Sequence, residues 1–178
     1  QVKYILENKT INFNNHYGAF PILHIIIFLI SLVGISPLKA FLFFPQIFPI
    51  IGILFFYLFL RKYFEEKQCL FASFLIAVFS MHIYWSSQPV REALGLFFFP
   101  LIIYLFDKEI EKSSLLKKTL LFLSFLLLIM SHNWSTLMTL FFLFFYSIFF
   151  IKEKRVYALF LIGVFTALTL LYWKIVFD

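Results

Sequence analysis

The chain is poor in the residues on which much soluble-protein chemistry is built. It has one cysteine, Cys69, so neither a disulfide nor a cysteine-rich metal site can form within it. Charged residues make up only 13% of the sequence, against roughly 25% in a soluble domain. Its five glycines form no phosphate-binding loop, and it carries no nucleophile elbow, no H-E-x-x-H and no paired-aspartate motif. No A-x-A cleavage signature follows an apolar run, so none of these runs reads as a removable signal peptide. There is no convincing internal repeat and no Gly/Ser-rich linker. A formal net charge of +6 could suggest nucleic acid, but the basic residues sit in short loops between apolar runs, which excludes that reading.

What is abundant is hydrocarbon. Hydrophobic residues account for 63% of the chain and phenylalanine alone for 29 of 178 residues. A helix needs about 20 apolar residues to cross roughly 30 Å of hydrocarbon. Measured against that length, the sequence predicts an all-α, polytopic transmembrane helix bundle in the cell membrane. A polar extramembrane segment over residues 1–17 precedes a helical membrane domain over 18–178. Within it a short or interfacial helix covers 20–35, and membrane helices cover about 40–60, 69–84, 92–106, 118–131, 136–151 and 156–173. The uncharged stretch 119–151 is too long for one span and is expected to break at "SHNWST".

Charge asymmetry orients these helices. The loops "RKYFEEK", "DKEIEKSSLLKK" and "KEKR" hold ten lysines and arginines; after residue 20 only Lys39, Arg91 and Lys174 lie elsewhere. The positive-inside rule therefore places "HIYWSSQPVRE" and "SHNWST" on the outer side. These two outward segments collect the polar side chains that interrupt apolar runs: His82, Ser86, Ser87, Gln88, Arg91 and Glu92 from one, and Ser131, His132, Asn133 and Ser135 from the other. Because the helices leading to them are short, their tips are expected to line a water-filled recess. Ionisable groups at membrane depth usually face such a cavity.

Each candidate has a bland reading and a chemical one. Glu92 suits the first turn of a helix, where a carboxylate complements the dipole; it could equally bind a metal, a sugar hydroxyl or Arg91. The planar fork of Arg91 suits a phosphate. His82 and His132 could serve as acid–base groups or metal ligands, or simply as hydrogen-bonding residues. Trp85 and Trp134 read as interface anchors or as platforms for a sugar ring.

The layout resembles the membrane-embedded C-type glycosyltransferase superfamily, which includes protein mannosyltransferases and oligosaccharyltransferases, in its archaeal type. The resemblance covers about residues 15–151 and rests on "HYGAFPILHIIIFLISLVGIS", "YLFLRKYF", "IYWSSQPVREALGLFF" and "MSHNWST". It implies a C-type glycosyltransferase-like fold and transfer of a sugar from a polyprenyl-phosphate donor to an acceptor at the outer membrane face. Glu92 would be a metal- or donor-associated carboxylate, with a divalent metal as the possible cofactor. His132 is similar to a histidine that often ends the next outward helix in archaeal relatives. Glu92 and His132 are thus the expected catalytic residues, and Arg91, Gln88, Ser87, His82, Trp85 and Trp134 the expected substrate-binding ones. Such enzymes carry their main acid in a first external loop, often as D-x-D or D-E. No such motif occurs over residues 1–17, so it is expected upstream of Gln1 or is lost. The rival readings are a transporter or flippase for a lipid-linked or anionic solute, and a catalytically silent scaffold.

Overall fold

The structure is a computed structural model that describes residues 21–87 and 92–177. Among these residues it is helical throughout, with no strand. The polar segment 1–17 lies outside the described residues.

The helices begin and end where the sequence supplies a physical reason. Helix α1 (Ile22–Leu32) stops at Gly34, whose φ of 91° only glycine adopts without strain. Helix α2 (Pro37–Phe43) starts with Ser36 as N-cap and proline in the first turn, where its missing N–H costs nothing. The prediction of one helix over 40–60 is refined here. Around Pro45 the chain turns before α3 (Ile47–Leu60) resumes, and Pro49 falls in the first turn of α3, where proline is tolerated.

The stretch predicted as a helix over 69–84 is also divided. Helix α4 (Glu66–Val78) ends at Phe79, which is extended at φ −62° and ψ 126°, and α5 (Ser80–Ser87) follows at once. Helix α6 (Glu92–Glu111) runs past the expected end at 106, carrying Asp107 and Glu109 into buried positions. Ser114 caps α7 (Leu115–Ile129) by accepting from the N–H of Lys117. The "SHNWST" segment separates α7 from α8 (Asn133–Phe149), and α9 (Arg155–Phe177) closes the described chain.

Helix α6 is the hub, packed against α3, α5, α7 and α8. Its buried face carries Leu94, Phe98, Ile102, Ile103 and Phe106. A second seam joins α7 to α9, where the rings of Phe125 and Phe165 stack with centroids 4.2 Å apart. Two close approaches depend on glycine. Pro100, inside α6, has no N–H to give the carbonyl four residues back, so Leu96 loses its helical partner. Gly52 of α3 lies against that carbonyl, and a Cβ there would stand only 3.1 Å from the Cα of Phe97. Gly95 plays the same part between α6 and α8, where an added Cβ would collide with the Oγ of Ser135 and come within 2.9 Å of its Cβ.

Much of the apolar surface faces outward. Phe74, Phe141, Phe149 and Phe160 are each at least 60% exposed. Among the described residues two helical stretches are long and apolar enough to cross a membrane: Pro37–Leu60, of mean hydropathy 2.1, and Arg155–Val176, of mean hydropathy 2.0.

Candidate functional site

One end of the bundle gathers the start of α6, the start of α8 and the middle of α3. Glu92 opens α6 and His132 is the N-cap of α8. The Nε2 of His132 stands 3.5 Å from an Oε1 of Glu92, and both side chains are largely shielded. His132 is an uncommon cap. Its Nδ1 accepts from the backbone N–H of Ser135 at 3.2 Å and lies 2.8 Å from the Ser135 Oγ. An Nδ1 that accepts an N–H carries a lone pair, so the imidazole proton of a neutral ring sits on Nε2, facing Glu92. The rest of the turn is closed by Thr136, whose hydroxyl and N–H both bond the His132 carbonyl.

Two spaces meet at these residues. A cleft of about 370 Å³ is lined by Glu92, Leu96, His132, Trp134 and Ser135. Beside it lies an apolar cavity of about 420 Å³, walled by residues that include Gly52, Phe56, Ile76, Phe99 and Met138. Trp134 and Ser135 border both spaces. Gly52, Gly95 and Pro100 line the apolar cavity as well.

Of the residues expected from the sequence to act together, Glu92 and His132 are thus in direct proximity. Trp134 borders the same cleft with 64% of its surface exposed. His82 borders the apolar cavity but not the polar cleft. Gln88 and Arg91 lie outside the described residues, as do the side chains of Trp85 and Ser87 in α5. Among the described residues no group of three or more His, Cys, Asp or Glu is placed to hold a metal ion.

A second polar cluster, at the other end of α6, was not anticipated from the sequence. Asp107 is only 2% exposed. Its Oδ1 pairs with the ammonium of Lys62 at 2.5 Å and accepts from the hydroxyls of Tyr63, at 3.2 Å, and Tyr146. Lys62 also reaches Glu111 at 2.9 Å. Burial alone would lower the Lys62 pKa, but its hydrogen bonds to Asp107 and Glu111 outweigh that and hold it above the ordinary lysine value. Burial likewise raises the Tyr63 phenol, with the Tyr146 hydroxyl opposing. Two residues on, the fully buried Glu109 accepts from Tyr157 of α9 at 2.8 Å and from the N–H of Ser114. Asp107 and Glu109 thereby tie α6 to the α3–α4 turn, α8 and α9, which is a stapling role. The sequence signal available was weak: tyrosines ending apolar runs opposite acids at the end of another.

Comparison with protein-family models gives no match, and none is found among curated proteins or solved structures.

Proposed function

We propose that the chain is a multi-pass membrane protein that handles a lipid-linked substrate in the recess formed by α3, α6 and α8. We further propose that its reaction is transfer of a sugar from a polyprenyl-phosphate donor at the outer membrane face. Membrane residence is supported by the two long apolar stretches, in which only 17% and 22% of the residues are buried. A core helix of a soluble protein would be mostly covered. Apolar surface exposed on this scale needs a lipid or protein partner. The same surface, together with the loop charges, supports more than two crossings.

The observation that carries the functional reading is the Glu92–His132 pair in a cleft that shares Trp134 and Ser135 with an apolar cavity. An amphiphile with a hydrocarbon tail and a polar head matches that juxtaposition: the tail fills the space walled by Phe56, Ile76, Phe99 and Met138, and the head meets the carboxylate and imidazole. With Nε2 protonated toward Glu92, the carboxylate stays oriented and can accept a proton from a sugar or acceptor hydroxyl. Trp134 offers a ring face at the rim. Arg91, adjacent in sequence to Glu92, is the group proposed for the donor phosphate. A divalent metal would find the Glu92 carboxylate but no lone pair on His132, whose Nδ1 accepts the Ser135 N–H and whose Nε2 carries the ring proton, so the described residues do not fit one.

The transporter reading needs polar residues along a continuous path. Between the outer recess and the Asp107 cluster the buried face of α6 is apolar, with Phe98, Ile102, Ile103 and Phe106, which disfavours it. The scaffold reading leaves the recess without a purpose. The test is sugar transfer from a polyprenyl-phosphate donor by the membrane-reconstituted protein and by its Glu92→Gln variant. Unchanged turnover in the variant removes Glu92 from the reaction.

A further inference from the structure

The same recess contains a relay that sugar transfer does not require. Reading along it, the Ser135 Oγ lies 2.8 Å from His132 Nδ1, and His132 Nε2 lies 3.5 Å from Glu92 Oε1. Hydroxyl, imidazole and carboxylate stand in the order found in serine nucleophile systems, which are recognised by geometry and roles rather than by sequence position. The sequence carries no nucleophile-elbow motif, and the relay is assembled instead from an α8 cap and the first residue of α6.

Three details give the arrangement chemical content. The backbone N–H of Ser135 already requires a lone pair on Nδ1, so the Ser135 hydroxyl is the donor in its contact with the ring, as a nucleophile facing its base must be. Nε2, which then carries the ring proton, lies 3.5 Å from a Glu92 oxygen, near enough for the carboxylate to stabilise an imidazolium. Ser135 also sits in the first turn of the 17-residue helix α8, where the positive end of the helix dipole meets any oxyanion formed beside its Oγ. Its position between the two spaces then selects the substrate. The apolar cavity takes a hydrocarbon chain and the polar cleft takes an alcohol or head group, which places a carbonyl at Ser135.

We infer that Ser135 is a nucleophile for acyl-ester chemistry on a long-chain lipid, with His132 as its base and Glu92 supporting the imidazolium. The Ser135 Oγ bonds to the ester carbonyl carbon while its proton passes to His132 Nδ1. The tetrahedral oxyanion then collapses, the ester C–O bond breaks, and the Nδ1 proton goes to the departing alkoxide. Water, or a second alcohol, releases the acyl group from Ser135, with His132 again taking and returning the proton. This activity goes beyond sugar transfer and does not depend on it.

The experiment is covalent labelling of the membrane-reconstituted protein with a long-chain alkyl fluorophosphonate, read by mass spectrometry of the modified peptide. The expected result is an adduct on Ser135 that is absent in Ser135→Ala and at least tenfold slower to form in His132→Asn. Both variants keep the helix start intact: alanine retains the backbone N–H used by the cap, and asparagine is itself a favoured cap. An unmodified Ser135 in the folded wild-type protein overturns the proposal, and so does an adduct that forms equally fast in His132→Asn. Sugar transfer is measured on the same preparations, so a failure of one reading is separate from a failure of the other.

Discussion

Asp107 and Lys62 form an ion pair at 2.5 Å between helix α6 and the turn that follows α3, with the Asp107 side chain only 4% exposed and that of Lys62 at 32%. The pair is asymmetric: the acid is sealed in and shared with two tyrosine hydroxyls, while the base remains partly solvated.

That asymmetry makes removal of the base costlier than removal of the acid. Lys62→Met leaves the sealed Asp107 carboxylate without its counter-charge and is expected to destabilise the protein by about 3 kcal/mol or more. Asp107→Asn leaves Lys62 partly solvated and still paired with Glu111, keeps an acceptor for the tyrosine hydroxyls, and is expected to cost about 1–2 kcal/mol. Denaturant unfolding in detergent micelles measures both, and an Asp107 variant at least as damaging as the Lys62 variant would contradict the picture.

The glycine contacts separate stability from activity. Gly52→Ala forces a Cβ onto the α6 backbone at Leu96 and Phe97, where neither partner can rotate away, and is expected to cost about 1–3 kcal/mol by overpacking. Gly95→Ala meets Ser135, whose Oγ can rotate away but whose Cβ, 2.9 Å from the added carbon, moves only with α8. It is therefore expected to pull the Ser135 hydroxyl from His132, with the larger fall in any activity of the recess.

Sugar transfer by Glu92→Gln is expected to drop about 100- to 10,000-fold, the range ordinarily contributed by a positioned acid or base. Binding of the lipid donor, followed by photo-crosslinking of a prenyl analogue, should be little changed, because the amide fills the same space. A loss of crosslinking equal to the loss of turnover would assign Glu92 to binding instead.

Topology is open to a direct check. Cys69 is fully buried, so the background from a membrane-impermeant maleimide should be low. In intact vesicles, Asn133→Cys and Lys112→Cys should be labelled from opposite faces. Labelling of both from one side would rule out α7 as a crossing.

Each end of α6 was legible to a different degree. The Glu92 end could be read because polar residues clustered where two short runs met, and because basic residues gathered toward the other end. Local rules also foresaw the break at "SHNWST", whereas the start of α7 at Leu115, capped by Ser114, lies three residues before the expected 118. The Asp107 end could not be read. Asp107 and Glu109 stand in a string of alternating charges that reads as a solvated loop, and only their distant partners, Lys62, Tyr63, Tyr146 and Tyr157, make burial tolerable. Ser135 was visible as a loop hydroxyl, but its pairing with His132 depends on which ring nitrogen the cap uses.

By itself the amino-acid order determined that the chain is helical and strongly apolar, with two stretches among the described residues long enough to cross a membrane, because apolar run length and charge-free composition are local properties that act before any contact forms. The tertiary structure alone decided that Glu92, His132 and Ser135 converge beside an apolar cavity and that Asp107 is buried against Lys62. Those outcomes depend on backbone approaches at Gly52 and Gly95 and on pairings between distant segments, whose free energies exist only once the helices are packed.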